Sequence, residues 1–313
     1  MSDDQSGSCG KRGGSGHTDA PHGKHAVVTG ASSGIGFELA RGLALAGYRV
    51  WTVSRASGNG DLAAAHVNEE AVGRGSATFL PADLASLREV RRVAVEIASR
   101  CGHLDLLMNN AGAYVHRRVI SDEGFEQTFA LNHLSPFLLT HLLQGALTRA
   151  EAPRVIATSS NAERMGALDL ERAASGVPFS AWRAYAMSKQ ANIHFARELA
   201  LRGPHPRLRS YAFHPGFVAS RFGADAGWLG PLFGLAQRCF GRDAEAGADT
   251  GLYLATTPQP PEPNGAYLID RTLVAPSAGG RDESTGRELW KRSEDWVGLG
   301  SREVLSPQRR PVA

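Results

Sequence analysis

Short apolar runs and helical repeats alternate along most of the chain. HAVVTG (25–30) is β-branched and stops on glycine, and GFELARGLALAG (36–47) then repeats its apolar residues at helical spacing up to Gly47. YRVWTVS, ATFLPADL, LDLLMNNAG, RVIATSS, LRSYAFHPG and GAYLID read as further strands, with helical segments between most of them. Strand–helix alternation implies parallel strands joined by right-handed crossovers. AVV, LDLLM and VIA are continuously apolar, as strands buried on both faces require. The pattern predicts an α/β fold: one Rossmann-type, doubly wound parallel sheet with helices on both faces, spanning residues 23–300 without a linker.

Composition changes this picture only at the ends and in what it excludes. Residues 1–22 are rich in Gly, Ser and charge, and 301–313 are similar, so both are expected to be flexible tails. The net charge of +3 is small for 313 residues, and its bases are scattered, which argues against a nucleic-acid partner. Cys9, Cys101 and Cys239 form no pair and have no histidine at ligand spacing, so no metal site is expected. Free thiols suit a cytoplasmic protein. No apolar run is long enough for a membrane span, and no secretory leader is read at the start.

The first strand runs into Thr29-Gly30-Ala31-Ser32-Ser33-Gly34-Ile35-Gly36, directly before a helix. Gly30 permits a tight turn, while Gly34 and Gly36 let backbone approach a pyrophosphate and pack helix against strand. The helix N-terminus offers N–H groups and a positive dipole end to phosphate. The expected contacts are Gly30, Ser32, Ser33, Gly34, Ile35 and Gly36. The second strand ends at Ser54-Arg55, with no acid for a ribose 2′-hydroxyl. A guanidinium there pairs with a 2′-phosphate, so NADP(H) is expected over NAD(H).

TGASSGIG resembles the cofactor fingerprint of the short-chain dehydrogenase/reductase family. The resemblance covers almost the whole ordered chain: Asp83 in PADL, Asn109-Asn110-Ala111-Gly112, Tyr185-Ala186-Met187-Ser188-Lys189 and His214-Pro215-Gly216. LNHLSPFLLTHLL, HPGFV and LWKRSEDWVGLG are similar to its retinol-dehydrogenase-like branch. The resemblance implies cofactor contacts at Asp83, Leu84, Asn110, Ala111, Gly112, Tyr185, Lys189, Pro215, Gly216 and Val218. It further implies that Ser160 positions the substrate oxygen and that Asn132 holds a water near the lysine. Ser159 is the rival of Ser160, but strand alternation turns it away.

Tyr185 and Lys189 lie four apart on a predicted helix and share one face. A nearby ammonium is expected to lower the phenol from its ordinary value near ~10, so that Tyr185 serves as general acid or base. Two apolar segments are expected on the substrate side. One is 161–184, with Met165, Leu168, Phe179 and Trp182; the other is 217–240, read either as a lid or as packing. The partner is expected to be a hydrophobic carbonyl or alcohol. The stretches at about 123–148 and 183–202 resemble those that build dimer interfaces in many relatives, which implies a homodimer or homotetramer. An epimerase, an enone reductase or a non-catalytic NADP sensor are the alternatives.

Overall fold

The computed structural model describes residues 23–56, 59–216 and 244–299. Both tails, Val218 and the segment 217–240 lie outside the described residues.

The strands are β1 (His25–Thr29), β2 (Arg49–Ser54), β3 (Ser76–Pro81), β4 (Leu106–Asn109), β5 (Arg154–Thr158), β6 (Arg209–His214), β7 (Tyr267–Ile269) and β8 (Thr272–Leu273). They form one sheet in the order β3-β2-β1-β4-β5-β6-β7-β8. Every pairing is parallel except β7 with β8. The predicted architecture holds, with one strand added. Asp270 and Arg271 join β7 to β8 at φ 50° and 59°, a turn that usually calls on Gly or Asn. Arg271 is held there by Asp249 and by an N–H bond of 3.1 Å to Thr250 Oγ1.

Successive strand residues enter opposite faces, and both faces are covered. Val27, Val53, Leu107 and Val155 pack with Val90, Ile97, Phe137 and Phe195 of the helices Leu87–Arg100, Ser135–Leu142 and Ala181–Arg202. Ala26, Val28, Met108 and Ile156 pack with Leu39, Leu43 and Leu254 of the helices Gly34–Leu45 and Ala244–Thr256. Burial on both sides is why these strands read as continuous apolar runs. Strand order reverses between β1 and β4, which opens a crevice beyond their carboxyl ends.

The helix Glu283–Trp296 lies against the helix Ala181–Arg202 and the helical segment from 127 to 147. Trp290 sits 5.0 Å from the Phe137 ring, and His133 Nε2 bonds Ser293 Oγ at 2.9 Å. Part of the surface that the sequence assigns to a partner subunit is thus buried within the chain. No described helix is long and apolar enough to cross a membrane.

Candidate active site

The glycine turn is built by backbone contact. Gly30 and Gly34 have φ of 70° and 58°, in the left-handed region that glycine favours. A Cβ on Gly36 would stand 2.1 Å from the Gly30 carbonyl oxygen, so nothing larger fits there. The helix Gly34–Leu45 has no acidic residue in its first turn, and Ser33 places no side-chain cap on it. Its N–H groups are therefore left to an anion from outside the helix. Ser32 and Ile35 are half-buried, and Ser33 is exposed.

Thr29 ties this turn to its neighbour. Its hydroxyl oxygen accepts the N–H groups of Asn110 at 3.0 Å and Ala111 at 2.9 Å. Asn110 Nδ2 donates back to the Thr29 carbonyl at 3.0 Å, and Asn110 Oδ1 accepts from Thr158 Oγ1 at 3.3 Å. Sequence patterning does not single out Thr29, although the residue stands at the head of the fingerprint. Ser54 at the end of β2 is buried, and its hydroxyl has no hydrogen-bond partner among the described residues, while Arg55 beside it is exposed. Asp83 is exposed and accepts Ala85 N–H at 3.0 Å, whereas the Leu84 side chain joins the core. Pro215 and Gly216 follow β6 and are half-buried, with Gly216 at φ 82°. A glycine cradle, an acid-free helix start and an orphaned hydroxyl at the ribose end fit a dinucleotide.

Beyond β5 the two serines diverge as alternation requires. Ser159 is buried and donates to the Lys189 carbonyl at 2.7 Å, so its hydroxyl is engaged away from the crevice. Ser160 caps the 3₁₀ turn Asn161–Arg164, accepting Ala162 N–H at 3.2 Å, and its hydroxyl is close enough to Tyr185 to favour the phenolate slightly. Lys189 Nζ donates to the Thr158 carbonyl at 3.0 Å and stands 5.5 Å from the Tyr185 ring centroid. A Cβ on Gly112 would lie 3.2 Å from both Lys189 Nζ and Asn132 Oδ1. The four predicted side chains and the Asn110–Gly112 turn therefore converge.

Asn132 owes its placement to a break in the helix. The sequence predicts one helix over 123–148; the chain instead forms Gln127–Phe129, a π-helical segment Ala130–Leu134, then Ser135–Leu142 and Gln144–Leu147. Such wide turns often mark functional positions. Asn132 Oδ1 accepts Ala113 N–H at 2.8 Å, and its Nδ2 donates to Ala113 O at 3.1 Å and Ser188 Oγ at 2.9 Å. These bonds fasten the loop after β4 to the Tyr185 helix.

The chain matches the short chain dehydrogenase family over residues 24–227, about two thirds of its length. It belongs to that family. It is an oxidoreductase of the CH–OH/C=O class, on the retinol-dehydrogenase-like branch. Mouse retinol dehydrogenase 11 is 37% identical over 281 residues, covering 88% of this chain and 87% of that protein. A Streptomyces sp. (strain C5) protein, DnrU, carries a provisional assignment as daunorubicin C-13 ketoreductase and is 36% identical, covering 90% and 96%. The crystal structure of an uncharacterized Mycobacterium paratuberculosis protein superposes with a TM-score of 0.68 at 30% identity, covering 88% and 93%.

In this dehydrogenase the electrostatics of Tyr185 differ from the sequence expectation. Burial holds its phenol well above the ordinary value, and Ser160 pulls only weakly the other way. The cause is its wall. Tyr114 meets the Tyr185 ring edge-on at 6.1 Å, and Trp182 stacks beside it at 6.1 Å. Burial also lowers Lys189 to about 8. Desolvation disfavours the charged form of each group.

Tyr114 escapes sequence reasoning because it follows the NNAG turn in a loop without periodicity. Of the substrate-side residues expected in 161–184, Trp182 lines the Tyr185 ring, and its Nε1–H points to Met165 Sδ at 2.6 Å. Leu168 instead joins the main core. Among the described residues no group of His, Cys, Asp and Glu could hold a metal.

Proposed function

We propose that this enzyme interconverts a carbonyl and an alcohol on an apolar small molecule with NADP(H), Tyr185 acting as the proton donor and acceptor. The observation that carries this reading is the convergence of Tyr185, buried Lys189 and Asn132 beside the Ser160 turn, at the carboxyl ends of β4 and β5. Nicotinamide, when bound, supplies or accepts the hydride. Gly30, Gly34 and Gly36 would cradle its pyrophosphate, Asp83 its adenine end, and Asn110 to Gly112 with Lys189 its ribose side. Ser160 orients the substrate oxygen, and Tyr185 gives that oxygen its proton during reduction. A phenol held above its ordinary value stays protonated at neutral pH, which suits reduction. Tyr114 and Trp182 shield the Tyr185 side of the site from water.

The NADP(H) preference rests on the orphaned Ser54 hydroxyl and on Arg55, in a strand end without an acid. A Shigella flexneri dehydrogenase structure complexed with NADP is similar at 25% identity and TM-score 0.59, which agrees with that preference. A panel of aromatic and aliphatic aldehydes and ketones, assayed with NADPH and NADH, tests the reading. Turnover with NADPH is expected. Tight NADPH binding without turnover of any carbonyl would favour the non-catalytic sensor instead.

A further inference from the structure

We propose that Glu163 is a positioning residue: its buried carboxylate, clasped by Ser277, fixes the 3₁₀ turn on which Ser160 is mounted. This rests on the reading of Ser160 as the hydroxyl that orients the substrate oxygen.

Glu163 sits three residues after Ser160, its N–H bonded to the Ser160 carbonyl at 3.0 Å, and its side chain is 0% exposed. A carboxylate taken fully out of water is costly unless its oxygens are satisfied. Here Ser277 N–H donates to Oε1 at 3.0 Å and to Oε2 at 3.2 Å, and Ser277 Oγ–H donates to Oε2 at 2.6 Å. Arg164 Nε lies 3.6 Å from Oε1. A branched apolar side chain would fill the same space but would accept neither the N–H nor the hydroxyl of Ser277.

The clasp reaches the helix that carries Tyr185. Gln190 follows Lys189, and its Nε2 donates to Glu163 O at 3.0 Å, Gly166 O at 3.2 Å and Ser277 Oγ at 3.1 Å. The turn around Ser277 is cut to fit. A Cβ on Gly279 would lie 2.7 Å from Gln190 Nε2, and one on Gly280 would lie 3.1 Å from Glu163 Oε2. Ser277 also caps the short helix Ala278–Arg281, accepting Gly280 N–H at 3.2 Å. One residue near the end of the chain thus ties together the Ser160 turn and the Tyr185 helix. If the turn shifts, Ser160 Oγ shifts against Tyr185, and misplacement of about 1 Å in such a site costs up to about 10²-fold in rate.

The test is a double-mutant cycle in the full-length enzyme, with 4-nitrobenzaldehyde and NADPH as the probe reaction. Ser277→Ala and Glu163→Gln should each lower kcat on the order of tenfold and leave the KM for NADPH unchanged. In a Ser160→Ala background the same changes should cost less than about twofold, because the group they position is gone. Ser277→Thr keeps the hydroxyl and should restore the rate. Equal losses in both backgrounds would overturn the proposal. Amide hydrogen exchange supplies a readout independent of turnover. Ser277→Ala should deprotect residues 160–165 while leaving β1 to β4 unchanged. If no carbonyl is turned over, the functional reading fails alone, and the exchange result still decides the clasp. Unaltered protection at 160–165 would sink it.

Discussion

The two sides of the crevice are built by different means. On the β1–β4 side, the glycine turn, Thr29 and Asn110 hold one another through backbone atoms and short side chains. On the β5–β6 side, Ser160, Tyr185 and Lys189 depend on long side chains and on contacts across large sequence separations, such as Glu163 with Ser277, 114 residues apart. The first side is built from short motifs that meet through backbone atoms, even across the 81 residues between Thr29 and Asn110, and leaves little freedom. The second is specified by packing, which is where a family can change substrate without changing cofactor.

The largest effect is expected on the second side. Tyr185→Phe keeps the ring and its stacking with Trp182 and removes only the hydroxyl. General acid–base catalysis contributes ~10²–10⁴-fold, so kcat should fall at least that far while NADPH affinity stays. Retention of most turnover, measured with any accepted carbonyl, would place the proton transfer elsewhere and erase the division of labour between the two sides.

Legibility followed the same divide. The β1–β4 side was readable because it is written in consecutive letters: TGASSGIG, PADL and NNAG each carry their own turn. Tyr185 and Lys189 were legible as four-residue spacing on a helix, while Ser160 came from the family resemblance, with strand alternation turning Ser159 away. The π-helical segment around Asn132 was not, because no residue in ALNHL breaks helical periodicity; the wide turn goes with long-range bonds of Asn132 to Ala113 and Ser188. The hairpin at Asp270-Arg271 lacks the glycine that would announce it. Tyr114, Glu163 and Ser277 gain their roles only from residues brought close by the fold, and no local pattern marks them.

Gly36→Ala probes the rigidity of the first side. The added methyl would be placed 2.1 Å from Gly30 O and 2.6 Å from Asn110 Nδ2. Backbone atoms cannot yield as a flexible side chain can, so overpacking on the order of 1–3 kcal/mol is expected, with cofactor affinity falling more than tenfold. Calorimetry of NADPH binding and the denaturation midpoint check it together. An unchanged midpoint with unchanged affinity would show that this side is looser than its contacts imply.

Acid should loosen the second side first. Burial lowers His133 to about 3 and His194 to about 4, and each is buried near the Tyr185 helix or the helix Glu283–Trp296. Their folded values lie below the unfolded value near ~6.5, so the unfolded chain binds more protons below that pH. Stability is fully present above about 6.5 and is lost as pH falls towards about 4, at up to roughly 1.4 kcal/mol per pH unit for each histidine. Glu126, raised by burial, works in the opposite sense and partly offsets this. Urea midpoints at pH 7.5 and 5.5 measure the slope, and His194→Gln should flatten it. A slope unchanged by that substitution would assign the acid lability to other groups.

The smallest change sharpens the cofactor side at its orphaned hydroxyl. Ser54 is buried with a hydroxyl unused among the described residues, and Arg55 beside it is exposed at the strand end. Ser54→Asp places a carboxylate where a ribose 2′-hydroxyl can donate to it and where a 2′-phosphate meets like charge. The ratio of NADPH to NADH affinity should fall by roughly tenfold, about 1.4 kcal/mol, the scale of one hydrogen bond to a charged group. Arg55→Ala should weaken NADPH alone, by less, because an exposed guanidinium pairs in competition with water. Both are read from fluorescence titrations with the two cofactors. The two substitutions act on neighbouring atoms of one phosphate, so their effects should fall short of additivity. A wild-type enzyme that binds NADH more tightly than NADPH, or a Ser54→Asp variant with no change in the ratio, would remove Ser54 from cofactor selection and leave the choice to residues elsewhere in the crevice.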